Sequence, residues 1–152
     1  MFKLAKIFVA MMTVITVTTI FFGLTANAAD DNNSLGKQIA EYASSDEFLG
    51  IPYEWGGDTK AAFDCSGFVM YVYREFGYDL PHYTLDLKNL GTSVSYDELE
   101  AGDLVFFYSD YGHVGIYIGD YKVVHAGSNG ITISSIAEGH YLDNYKAACR
   151  II

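Results

Sequence analysis

Residues 102–134, GDLVFFYSDYGHVGIYIGDYKVVHAGSNGITIS, decide the fold. Leu104 to Tyr108, His113 to Ile118, Lys122 to Ala126 and Ile131 to Ser134 are short runs rich in β-branched and aromatic residues, separated by brief Gly-rich links. Such runs predict strands that pair antiparallel as a meander. Ala147 to Ile152 has the same character and predicts a last strand. Upstream the spacing turns helical. Ser34 suits an N-cap, and Leu35, Ile39, Tyr42 and Ala43 follow at helical intervals towards a stop near Gly50 and Pro52. Phe68, Val69, Val72, Tyr73 and Phe76 predict a buried helix from Cys65 to Phe76, with Gly77 as its stop. A shorter helix is expected from Tyr83 to Leu90, closed by Gly91, and Ser95 to Glu98 has capping-box spacing for one more turn. The stretch from Pro52 to Asp58 reads as a loop. Helices first and strands afterwards imply an α+β fold, with the helices packed on one face of a curved antiparallel sheet of about five strands.

The first part of the 152-residue chain reads as a leader rather than as fold. Lys3 and Lys6 precede an apolar stretch from Ile7 to Leu24, and Ala26-Asn27-Ala28 offers small residues for a signal peptidase. We therefore expect a signal peptide over residues 1–28 and export from the cytoplasm. Residues 29–50 then form the N-terminal segment and first helix, and residues 51–152 the core. About 124 residues remain after cleavage, enough for one domain and too few for two. With both leader lysines gone, seven of the nine Lys+Arg face all 19 Asp+Glu, a formal charge of −12. Such a chain is no partner for duplex nucleic acid, whose phosphates must be met by Lys and Arg. No stable membrane anchor is expected after cleavage, and the chain is expected to act as a monomer.

The chemistry concentrates around one cysteine. Asp64-Cys65-Ser66-Gly67 opens the predicted buried helix, where free N–H groups and the macrodipole favour a thiolate and could hold an oxyanion. Cys65 is expected to be partly exposed there, and Gly67 to let substrate approach the backbone. Cys149, within a final strand, reads as a small buried hydrophobe. A Cys65–Cys149 disulfide is disfavoured, because the domain is large enough to fold without a staple. For a base, His113 heads one predicted strand and His125 lies near the end of the next. A three- or five-residue connection around Gly119-Asp120-Tyr121 puts both imidazoles on one face, whereas a two-residue connection puts them on opposite faces. His82 and His140 have no motif context and read as surface residues. Cys65, His113 and His125 lack the short paired spacings of structural zinc sites, so no metal or other cofactor is expected.

Asp64-Cys65-Ser66-Gly67-Phe68, His113-Val114-Gly115-Ile116-Tyr117-Ile118-Gly119 and Val123-Val124-His125-Ala126 resemble, in order and spacing, the signature of the NlpC/P60 peptidases. Pro52-Tyr53-Glu54-Trp55-Gly56-Gly57 is similar to that family's upstream motif. The resemblance implies a papain-like fold with Cys65 as nucleophile, His113 as general base and then acid, and His125 orienting His113. It also implies that Tyr53, Asp64 and Ser66 serve substrate binding or the oxyanion site, with Asp64 binding a free substrate amine in some members. The implied substrates are peptide stems of bacterial peptidoglycan, cut between D-glutamate and a diamino acid. The same residues leave three alternatives: a catalytically inactive wall-binding module, a related Cys-His amidase or acyltransferase, or an antibacterial toxin. For the peptidase, a thiolate–imidazolium pair in the resting site is expected, with a Cys65 pKa well below the ~8.5 of a free thiol.

Overall fold

The computed structural model describes residues 28–152, with side chains from Leu35 onward. The leader expected up to residue 28 falls outside the described residues except for Ala28. Helix α1 spans Ala28–Ala43 and so begins six residues before Ser34, the expected cap. Neither Gly nor Pro interrupts residues 28–35, so nothing in that stretch breaks the helix. It also stops short of Gly50. The hydroxyls of Ser44 and Ser45 turn back to the carbonyls of Ala40 and Tyr42 at 2.8 and 2.7 Å, taking last-turn acceptors and freeing Phe48 to enter the core.

Part of the expected loop is structured. β1 (Asp58–Thr59) and β2 (Ala62–Phe63) form a small hairpin, and Tyr53 bridges to Phe63. Helix α2, Cys65–Glu75, follows at once, with Gly77 at φ +86° ending it as expected. Its apolar stripe, Phe68, Val69, Val72 and Tyr73, is fully buried. Phe68 meets Phe48 and Phe63 with ring centroids 5.5 Å from each, in edge-to-face geometry. The Tyr73 hydroxyl, buried with its ring, donates to the Gly102 carbonyl.

Helix α3 (Thr84–Leu90) leads to β3 (Thr92–Val94), a strand not foreseen, and then to a 3₁₀ turn at Tyr96–Glu98. β4 (Leu104–Phe107), β5 (His113–Gly119), β6 (Lys122–Gly127) and β7 (Gly130–Ser135) form the expected meander. After the short helix α4 (His140–Asp143), β8 (Tyr145–Arg150) departs from meander order and returns to lie between β3 and β4. The sheet is antiparallel throughout, with six strands in the order β3-β8-β4-β5-β6-β7. The buried Asp103 carboxylate fixes that return. It accepts Arg150 Nε and Nη2 at 2.8 and 2.9 Å and the Glu100 amide at 2.8 Å, so the end of β8 is tied to the start of β4.

Helices α1 and α2 pack on the sheet face that carries Leu104, Phe106, Val114, Ile116 and Val124. A smaller apolar layer of Val105, Phe107, Tyr117, Val123 and Ile136 covers the other face. No helix of the described residues is long and apolar enough to cross a membrane. Replacing Phe68 by Ala should remove the centre of the aromatic cluster and cost about 3–5 kcal/mol. Urea unfolding should report this as a lower midpoint with an unchanged slope, and a loss under 1 kcal/mol would deny Phe68 that position.

Candidate active site

Cys65 is the first residue of α2, and Asp64 before it is the N-cap. The Asp64 carboxylate serves four donors. Oδ1 accepts the Gly67 amide at 2.7 Å, the Ser66 hydroxyl at 3.1 Å and His82 Nε2 at 2.8 Å, and Oδ2 accepts the Gly56 amide at 2.9 Å. Burial alone would raise its pKa, but Gly67, His82 and Gly56 together hold it below the usual carboxylate value. The Ser66 hydroxyl is therefore turned to Asp64. Gly67 serves packing rather than substrate approach, because a Cβ there would lie 2.0 Å from the Gly57 carbonyl oxygen and 2.9 Å from His82 Nε2.

Cys65 is 7% exposed, more deeply set than expected. Burial pushes its thiol pKa up and the neighbouring Asp64 charge adds to this, while the Val114, Ser66 and Cys65 amides pull the other way. The balance is upward, so the helix start offsets burial only in part. The Val114 contact places the sulfur against the residue directly after His113. Cys149, also a free thiol, is buried against the Leu87 carbonyl, Sγ to O 3.5 Å, and its pKa is pushed up to about 11 by burial.

His113 and His125 do share a face, by a route the loop count alone excludes. Asp120 and Tyr121, both at positive φ, make a two-residue turn between Gly119 and Lys122. A bulge between Tyr117 and Gly119 adds a residue to β5, so beyond it Tyr117 faces Val123 and Ile116 faces Val124. The extra residue reverses the parity, and His113 Nε2 lies 3.0 Å from His125 Nδ1. His125 Nε2 in turn lies 2.9 Å from Ser134 Oγ on β7, and Ser134 bonds the Tyr141 hydroxyl. Burial lowers the pKa of His113 to about 4; burial and then His113 lower that of His125 to about 3. Both rings are thus neutral near pH 7. If protons run from His113 through His125 to Ser134 and Tyr141, every bond has one donor and His113 Nδ1 is left as a free base. Burial thus pushes the thiol and the imidazole alike toward their neutral forms and works against the expected ion pair.

Two hollows flank this pair, and Tyr53 lines both. The first, about 410 Å³, is lined by Cys65, Asp64, His82, Trp55 and Asp110 among others. The second, about 400 Å³, is lined by His113, Tyr108, Ser128, His140 and Tyr141 among others. His82 and His140, expected at the surface without a role, thus line the two hollows that share Tyr53, together termed the groove. Tyr53 is 36% exposed, and its hydroxyl pKa is raised by burial and then by Cys65 and Asp64, which puts that hydroxyl near the thiol. A larger hollow of about 670 Å³, beside Thr92, Glu98 and Arg150, is lined by neither cysteine nor histidine.

A family model for NlpC/P60 proteins matches residues 50–150. The chain belongs to the NlpC/P60 family. It is 44% identical over 110 residues to the murein DD-endopeptidase MepS/murein LD-carboxypeptidase of Escherichia coli K12, covering 70% of this chain and 58% of that protein. It is 41% identical over 91 residues to the gamma-D-glutamyl-L-lysine dipeptidyl-peptidase of Bacillus subtilis, covering 57% and 31%. The NlpC/P60 chain thus spans little more than half the length of the E. coli relative. Among solved structures it superposes on an NlpC/P60 family protein of Bacillus cereus with a TM-score of 0.64 at 33% identity, covering 81% and 40%. It superposes on the NlpC/P60 domain of the peptidoglycan hydrolase SagA with a TM-score of 0.63 at 30% identity, covering 78% and 97%.

The two depressed histidines set a pH dependence of stability. Below pH 6.5 the unfolded chain binds protons at both, while the folded chain refuses them until about pH 4 and pH 3. Stability should therefore fall on acidification from about pH 6.5, approaching ~1.4 kcal/mol per pH unit for each histidine. Asp64, whose pKa is lowered, loses its contribution only below its ordinary 3.8 and stays outside this window. Urea unfolding between pH 7 and 4.5 should show the slope, roughly halved in His125→Asn; an unchanged slope in that variant contradicts a neutral His125.

Proposed function

We propose that this NlpC/P60 chain is an exported cysteine endopeptidase that hydrolyses peptide-stem bonds of bacterial peptidoglycan, with residues 1–28 as its cleaved secretory leader. The observation that carries the reading is the seating of the Cys65 sulfur against the Val114 amide, next to a His113 whose other nitrogen is engaged by His125. In this reading Cys65 passes its proton to His113 Nδ1 as sulfur attacks the stem carbonyl. The oxyanion is met by amides at the α2 start and by the Tyr53 hydroxyl. Collapse of the tetrahedral intermediate breaks the C–N bond, the leaving amine takes the proton from His113, and a thioester remains on Cys65. His113 then deprotonates water, which attacks the thioester and restores the thiol while the acyl product leaves as a carboxylic acid. His125 holds the ring of His113 and stabilises its charged form, touching no reacting atom.

The bond is proposed to be that from D-γ-glutamate to the diamino acid. A second reading, a bond between two D-centres, is favoured by the 44% identity to a murein DD-endopeptidase. In either case the leaving amine belongs to the diamino acid. Asp64 already serves four donors, which supports a scaffold role over capture of a free substrate amine and favours cleavage within longer stems.

Mass spectrometry of purified wall fragments after digestion should identify one of these products. Cys65→Ala should abolish turnover by at least 10³-fold while the fold is kept, and Cys149→Ala should leave it intact; turnover that survives Cys65→Ala sinks the nucleophile assignment. The profile of kcat/KM should have its acidic limb below pH 6.5, since His113 must be neutral to accept the thiol proton and its pKa lies at about 4. Alkylation of Cys65 in the free Cys149→Ala protein should titrate above the ~8.5 of a free thiol, the direction in which burial pushes it. A midpoint below 7 would restore the resting ion pair.

A further inference from the structure

The groove's two halves differ in charge. The half beside Cys65 contains two carboxylates, Asp64 and Asp110, and the half beside His113 contains none. The chain has 19 Asp+Glu against 9 Lys+Arg, yet no acid lines this hollow. It presents donors instead. Tyr108 and Tyr141 supply phenol hydroxyls, Ser128 an alcohol, and His140 an imidazole with Nε2 3.0 Å from the Tyr108 hydroxyl. Tyr108 is held at φ +67°, a conformation a bulky residue rarely adopts, on the loop between β4 and β5. His140 opens α4 from the far side, and its ring packs on Tyr141 with centroids 5.2 Å apart. Two elements distant in sequence thus converge on one hydrogen-bonded pair at the edge of the His113 cavity.

Which part of a substrate lies there follows from the chemistry. The group that protonates the leaving amine must stand on the leaving side of the scissile bond, so the half beside His113 receives the leaving fragment. Resting on the peptidase reading above, we infer that Tyr108 and His140 form a recognition site for a free carboxylate carried by the leaving diamino acid fragment. The Asp-bearing half beside Cys65 repels such a group, so the two halves also set the direction in which a stem lies across Cys65. A donor set facing a carboxylate discriminates strongly against the neutral carboxamide, since the amide matches neither its charge nor its two acceptor oxygens.

The test uses two stem tripeptides, L-alanyl-γ-D-glutamyl-meso-diaminopimelate and the same peptide with the diaminopimelate carboxylates amidated. Binding is read by NMR titration on the full folded Cys65→Ala protein, which needs no cleavage. The acid should bind about tenfold or more tighter than the amide, and adding His140→Ala or Tyr108→Phe should erase that preference while leaving amide binding within twofold. In the protein with Cys65 intact, the same substitutions should raise KM for the acid and leave kcat within twofold. Equal binding of acid and amide, including no detectable binding of either, overturns the inference. So does an equal loss for both peptides in His140→Ala with the circular dichroism spectrum unchanged. Carboxylate-selective binding that depends on His140, without cleavage by the Cys65 protein, would sustain the pocket and sink the peptidase reading instead.

Discussion

The Asp64 carboxylate is the constraint on which the site depends. It caps α2 through the Gly67 amide, holds the loop before β1 through the Gly56 amide, and holds the segment before α3 through His82. Three pieces of chain meet at one carboxylate, and Cys65 is the next residue. Because Asp64 is nearly buried, losing any of these donors leaves charge uncompensated in a low-dielectric setting, so the arrangement is cooperative rather than a sum of separate contacts. The same charge opposes ionisation of the neighbouring thiol. What holds Cys65 in place therefore also disfavours its ionisation.

That tension explains why the histidines are arranged in series. In the proposed mechanism a neutral thiol needs a base that is itself neutral at rest, and burial favours that form of His113. A buried imidazole is a poor acceptor unless its charged form is stabilised once made. The 3.0 Å contact to His125, backed by Ser134 at 2.9 Å, provides a directed set of acceptors for that charge. The bulge in β5 makes this geometry possible: without the extra residue the tight Asp120-Tyr121 turn would send His125 to the opposite sheet face.

The sequence made local features legible and left convergent ones hidden. Cys65 at a helix start, His113 at a strand head and the α+β order each follow from a few neighbouring residues, and all three are present. His82, Ser134, His140 and Tyr141 carry no such signal, because their roles arise only when α3, β7 and α4 close around the groove. The nearest sequence clue was at Ser134, on a strand pairing with that of His125, yet its partner depends on register: His125 faces Thr132, and the imidazole reaches past it to Ser134. Gly67 misled for a related reason. A missing Cβ beside a nucleophile suggests room for substrate, but the space is taken by the Gly57 carbonyl. The edge strand β3 and the return of β8 depended on the Asp103–Arg150 pair, 47 residues apart in sequence.

Chemistry and overall charge are connected through the neutral resting site. The whole chain has a formal charge of −10, and its field disfavours any new negative charge near its surface. A standing thiolate would oppose that field at all times and would also be the form most open to oxidation. A neutral thiol is spared both until a substrate carbonyl is in place. In the proposed mechanism the proton then moves to His113, and the negative charge forms on the substrate oxygen beside backbone amides rather than persisting on sulfur. Burial therefore slows ionisation of the free enzyme yet strengthens each hydrogen bond to the transition state, since both effects come from the same exclusion of water. For the hydrolase proposed above, linking charge separation to substrate arrival is the arrangement most compatible with an acidic chain.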